Sequence, residues 1–131
     1  MLVVTALYTA ILVLIMVFLA YKTSSRRMEA KISLGTGNDD VMECRSRAFG
    51  NFVEFVPMMI ILMAIIEIQG QQAVYVHILG ITTVIARIFH AMGITGFLKA
   101  VNGRFIGSLL TYLMLMVGGF FLLYISIIQL M

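Results

Sequence analysis

Charge is scarce in this chain. Asp, Glu, Lys and Arg make up 11% of its 131 residues, against 62% hydrophobic ones. Soluble domains carry about 25% charged and about 45–50% apolar residues. A chain of this length forms one domain and is too small to hide such an apolar excess in a water-facing core. A soluble enzyme and a disordered tail are therefore excluded. Cysteine is scarcer still. Cys44 stands alone, which excludes an internal disulfide, a thiolate zinc cluster and a secreted disulfide scaffold. Repeats of fixed period and low-complexity tracts are absent, as are the alternating runs of about ten residues that build a membrane β-barrel. What remains is an all-α integral membrane protein.

The apolar residues fall into long runs. Crossing a bilayer as a helix takes about 20 mostly apolar residues, and four segments supply them, at about 2–22, 47–67, 73–94 and 104–130. The expected fold is a four-transmembrane-helix bundle forming a single domain over 1–131. The first run lacks a basic leader and a small-residue cleavage site before Lys22, so it reads as a span and not as a signal peptide. Basic residues crowd the first connection and its flanks (Lys22, Arg26, Arg27, Lys31, Arg45, Arg47) and recur in the third (Lys99, Arg104), while the turn from Glu67 to Gln72 has none. This bias predicts that the first and third connections face the cytoplasm and both termini the opposite side. Leu34 to Asp40 is turn chemistry and lacks the long glycine pattern and Lys of a phosphate loop. Nucleic-acid binding has no support, because the basic residues abut membrane spans without stacking aromatics.

The polar residues inside the spans gather at one depth. Arg47, Asn51 and Glu54 sit at i, i+4 and i+7 near the start of the second span, on one helical face. Arg87 and His90, at i and i+3, lie near the end of the third, with Thr83 on the same stripe. Arg104 opens the fourth, and Arg26 and Arg27 follow the first. All of these positions belong to the cytoplasmic third. Ionisable residues in spans are functional candidates by default. One reading is structural: Glu54 pairs with Arg47 or Arg87 and the network fixes packing. The excess of Arg over acid favours a second reading, an anionic ligand with carboxylates, which Arg grips through two parallel hydrogen bonds. The helix start at Arg104 adds free N–H groups and a positive dipole end. No metal set stands out, since His77 and His90 are far apart on one helix. His77 reads as a packing residue, Cys44 as incidental, and no Ser-His-Asp or Cys-His arrangement is present.

The stretch from Glu43 to Pro57 reads Glu-x-x-x-Arg-Ala-x-x-Asn-x-x-Glu-x-x-Pro. It resembles the second helix of the MAPEG family, the membrane-associated proteins in eicosanoid and glutathione metabolism, which include the microsomal glutathione transferases. Arg87-Ile-Phe-His-Ala-Met-Gly93 resembles the family's third helix, and Arg104 its Arg at the start of the fourth. The compact loops look most like bacterial members.

The resemblance implies a trimer of four-helix bundles in the bacterial inner membrane, with glutathione between subunits near the cytoplasmic face. Arg47, Asn51 and Glu54 would bind the tripeptide, Glu54 taking its ammonium group. Arg104 would face the sulfur and favour the thiolate. Arg87 and His90 would line the site, with Arg26 or Arg27 as a basic residue at the end of the first helix. A lipophilic electrophile or hydroperoxide would enter from the lipid side. The chain departs from many relatives at Phe49, Phe55 and Ile94, where they carry polar or Tyr side chains. Two other classes stand beside this expectation. One is a lipid- or ligand-binding membrane protein without catalysis on the same scaffold. The other is a small multidrug transporter, disfavoured because the first span contains no acidic residue.

Overall fold

A computed structural model describes residues 1–96 and 102–131. Lys99, used above for orientation, lies outside the described residues. Four helices account for nearly all of the rest: α1 (Val3–Glu29), α2 (Asp40–Ile68), α3 (Ala73–Ile94) and α4 (Gly103–Leu130). Each is long and apolar enough to cross a membrane, and the chain is an all-α four-helix membrane bundle.

Two helices extend further than the apolar runs. α1 continues through Lys22 and the polar stretch after it to Glu29, and α2 begins at Asp40. Asp39 caps α2, its side chain accepting the Met42 N–H at 2.6 Å. The same carboxylate takes two parallel hydrogen bonds from Arg26, at 3.1 Å from Nε and 2.5 Å from Nη2. Arg26 and the Met42 amide hold the Asp39 carboxyl below the usual carboxylate range. Arg27 donates from Nη1 to the carbonyls of Ser33 and Gly35. The end of α1 and the start of α2 are thus bound together through the loop between them.

Opposite ends of the bundle are tied by different chemistry. At the far end, Glu67 near the close of α2 reaches the start of α1. Its carboxylate accepts the N–H of Val4 at 3.0 Å and of Thr5 at 2.7 Å. These are donors that the first turn of a helix leaves unpaired, and the negative charge suits the positive end of the helix dipole. Tyr8 Oη lies 2.8 Å from His77 Nδ1 in the first turns of α3, which gives His77 a packing partner as anticipated. These contacts put the start of α1, the end of α2 and the start of α3 together, so consecutive helices run antiparallel.

The core is built mainly by α1, α2 and α3. Tyr8, Met59, Leu62, Met63, Ile66, Val76 and Leu79 form one buried cluster at the Glu67 end. Leu12, Leu19, Phe52 and Val56 form a second nearer the loop end. α4 packs chiefly on α3, touches α2 less, and does not meet α1 among the described residues. Its outer face, with Phe105, Leu109, Tyr112, Met116 and Phe120, is exposed. In water such a face would be prohibitive; in a bilayer it matches the lipid chains.

Candidate functional site

The helix ends at the loop side converge because α3 and α4 approach unusually closely there. A Cβ on Gly107 would lie 2.5 Å from the Ala86 carbonyl oxygen and from the His90 nitrogen. A Cβ on Gly93 would collide with the backbone nitrogen of Arg104. Small residues of this kind let membrane helices touch backbone to backbone. The contact sets Arg104, in the first turn of α4, directly beside the end of α3. It also buries His90.

Arg87 holds the centre of this packing. It is 2% exposed, and its guanidinium joins three helices. Nη1 donates to Asn51 Oδ1 on α2 at 2.7 Å. Nη2 donates to the Gly107 carbonyl at 3.2 Å and to the Thr111 hydroxyl on α4. Thr111 in turn donates to the Gly107 carbonyl at 2.8 Å. The Phe55 ring, edge-on to Tyr112, lies 5.8 Å from Arg87 Cζ. Nε has no partner. A buried cation needs such acceptors, and these are neutral oxygens, not the carboxylate of Glu54. The pairing of Glu54 with Arg47 or Arg87 considered above is not formed among the described residues. Thr83 turns its hydroxyl onto its own helix, donating to the Leu79 carbonyl at 2.7 Å.

The remaining candidates lie outward. Arg47, Glu54 and Arg104 are exposed on the bundle surface, and neither Arg joins an ion pair among the described residues. Arg47 and Arg104 line one cleft of about 270 Å³ together with Asp40, Glu43, Cys44 and Ile94. It opens into a second hollow of about 540 Å³ that shares Cys44, Ile94 and Arg104 and runs along the start of α4 through Asn102, Gly103 and Phe105. Asn102 enters α4 in the left-handed conformation, φ 51°, and its side chain caps no amide. Among the described residues the first N–H groups of α4 therefore have no side-chain cap at the wall of this hollow, an arrangement suited to an anion.

The structure brings Arg47 and Arg104 together in one cleft, and ties Asn51 to Arg87 with His90 one turn away. Glu54 sits two turns beyond Arg47 on the outer surface of α2. Arg26 and Arg27 stand apart, bound to Asp39 and to the loop carbonyls. Gly107 and Thr111, the acceptors of Arg87 on α4, escaped the sequence reading. Their i, i+4 spacing after Arg104 was the available signal, a small-and-hydroxyl stripe on an otherwise bulky helix. Glu67 as the cap of α1 left no local signal.

Comparison with known proteins agrees with this architecture. The family model described as the MAPEG family matches residues 5–124. Two relatives, each named inner membrane protein YecN, come from Escherichia coli K12 and from Escherichia coli O6:H1. Each is 31% identical over 90 residues, covering 69% of this chain and 69% of the relative. No solved structure matches. The motif on α2, the four membrane helices and the match along nearly the whole chain agree: this protein belongs to the MAPEG family.

Proposed function

We propose that this protein is a glutathione-dependent membrane transferase, with peroxidase activity toward lipid hydroperoxides as the related reaction. It works as a homotrimer in a bacterial inner membrane, with both termini outside the cytoplasm and the site toward the cytoplasm. The observation that carries this reading is the pair of exposed Arg side chains, Arg47 and Arg104, which join no ion pair among the described residues and share a cleft walled by the start of α4. Charged groups on a membrane-helix surface are costly unless something covers them. A neighbouring subunit and an anionic ligand between subunits would do so, and would also cover Glu54.

Glutathione fits the set of groups. Its two carboxylates suit Arg47 and the start of α4, and its ammonium group suits Glu54. Asn51, whose oxygen is taken by Arg87, is left with its NH₂ to donate. Arg87 acts here as a positioning residue and His90 as a wall of the site. Arg26 and Arg27 stand apart from it and hold the loop between α1 and α2. A free thiol titrates at about 8.5, and a cation beside it lowers that value. Arg104 is that cation and the catalytic residue of this proposal. In transfer, the thiolate forms a bond to an electrophilic carbon and the leaving group departs with its electron pair. In peroxidase turnover, the thiolate attacks the terminal peroxide oxygen, the O–O bond breaks, and the alkoxide departs and takes a proton from water, leaving a sulfenic acid. A second glutathione then displaces water from the oxidised sulfur, giving the disulfide.

The test is calorimetric titration of glutathione into the detergent-purified protein, followed by conjugation to a lipophilic electrophile. Saturable binding that Glu54→Gln and Arg47→Ala each weaken about tenfold supports the reading. No binding at millimolar glutathione would overturn it. Binding without turnover would favour the non-catalytic ligand-binding alternative, to which the apolar Ile94 in the cleft wall is suited.

A further inference from the structure

Glu43 opens the motif on α2, and the reading above gives it no task. It lies one turn before Arg47 on the same helix face. Its side chain is exposed and lines the cleft of about 270 Å³ with Arg47 and Arg104. Asp40, one turn earlier and also exposed, lines the same cleft. Glu54 lies outside it, about 10 Å along the helix axis from Arg47. The carboxylates that face the two Arg side chains are therefore those of the first turn of α2.

The charges of the cleft balance in number, two Arg against two acids, but they are unevenly spread. None of the four joins an ion pair with another among the described residues. The adjoining hollow of about 540 Å³ keeps Arg104, adds the start of α4 and has no acid in its described walls. Both acids stand on the α2 wall, in that helix's first turn. The positive end of the α2 dipole favours acids there; it does not require that both line the cleft of Arg47 and Arg104. One anionic group is accommodated at the α4 end. A ligand with several anionic groups must bring some of them against Asp40 and Glu43. Like charges set face to face are a common way to refuse a wrong partner.

We propose that Glu43, with Asp40 beside it, sets which thiols the cleft accepts. It turns away thiols that carry phosphates and admits those whose carboxylates are offset by an ammonium group. Soluble thiol cofactors come in these two chemistries, a nucleotide with several phosphates or a peptide with carboxylates and an amine. A phosphate monoester carries a charge of about −1.5 to −2 at neutral pH, more than one carboxylate, so the two acids weigh more heavily against it. Glu43 is a specificity-determining residue here and takes no part in the chemistry at sulfur. The inference rests on the reading of this cleft as the thiol site, while the rejection of phosphate is measured without glutathione.

The experiment titrates coenzyme A, inorganic phosphate and glutathione, each alone, into the detergent-purified protein by calorimetry at low salt. Glu43→Gln should strengthen coenzyme A about tenfold and inorganic phosphate about threefold, both gains fading at high salt. It should alter glutathione less than about threefold. Glu43→Asp keeps the charge and should behave as the native protein. Glu29→Gln removes a charge from an exposed position at the end of α1, outside the cleft, and should change neither phosphate ligand. Coenzyme A and phosphate unchanged in Glu43→Gln would overturn the proposal, whatever glutathione does. An equal gain in Glu29→Gln would reduce the effect to net charge and overturn it. A tenfold loss of glutathione in Glu43→Gln would make Glu43 a contact of the ligand and overturn it too. Phosphate that tightens in Glu43→Gln alone, with no glutathione bound by any of the proteins, would overturn the glutathione reading and uphold the rejection of phosphate.

Discussion

Arg87 Nη1 and Asn51 Oδ1 are 2.7 Å apart, a hydrogen bond from a buried cation on α3 to an amide on α2. It orients Asn51: with its oxygen engaged, the amide offers only N–H donors to whatever lies beyond. Hydrogen bonds to charged groups contribute about 1.5–3 kcal/mol. Arg87→Met keeps much of the length and removes the charge. It should lower stability by about 3 kcal/mol, seen as a depressed unfolding midpoint in detergent. On the proposed function it should also weaken glutathione about tenfold while Arg104 still supports thiolate formation at saturation. Unchanged stability would show that the network around Arg87 is dispensable.

Glu67 does for α1 what a local cap does for most helices. Replacement by Gln keeps a hydrogen-bond acceptor and removes the charge at the positive end of the helix dipole, an effect of about 1 kcal/mol. Glu67→Ala removes the acceptor as well and should cost about 2 kcal/mol. Amide hydrogen exchange at Val4 and Thr5 should rise in both variants, more in the second. Protection unaltered in Glu67→Ala would mean that these amides are satisfied otherwise.

The loop between α1 and α2 should loosen in acid. Asp39 has a folded-state value below its ordinary 3.8, from Arg26 first and the Met42 amide second. A lowered carboxylate value contributes order above the unfolded value and loses it as pH falls through the folded one. Exchange at Met42, corrected for intrinsic rate, should therefore stay slow near neutrality and accelerate only below about pH 4. Asp39→Ala should abolish that dependence and leave exchange fast throughout. A Met42 amide insensitive to both changes would contradict the cap.

Gly93 is the position at which Arg104 depends on packing. Gly93→Val places a side chain where the Arg104 backbone nitrogen lies, so α4 must move or the helices separate. Overpacking of this kind costs about 1–3 kcal/mol or more. On the proposed function the variant should lose thiolate formation while Ser108→Val, at a partly exposed position of α4, retains it. A fully active Gly93→Val would show that the start of α4 needs no fixed position.

Much of this was legible in the chain. The four membrane helices follow from apolar runs alone, because the bilayer demands them. The depth of the polar cluster follows from spacing along those runs. The helix ends did not follow: the polar extension of α1 to Glu29 and the start of α2 at Asp40 incur no membrane cost, so hydropathy is silent there. Arg47, Asn51 and Glu54 share a face by spacing, but forty degrees of rotation separate Asn51, turned to Arg87, from Arg47, turned outward. Which partner each group takes is decided by contacts between helices, as with Glu67 and the start of α1, and a single sequence does not encode those locally.

The most direct measurement is the ultraviolet absorbance of the glutathione thiolate in the purified protein, compared between the native chain and Arg104→Leu at saturating glutathione and neutral pH. The proposed function predicts a stoichiometric thiolate signal in the native protein, at least tenfold reduced in Arg104→Leu and partly restored in Arg104→Lys. An equal signal with and without Arg104, or none in the native protein with glutathione bound, would contradict it.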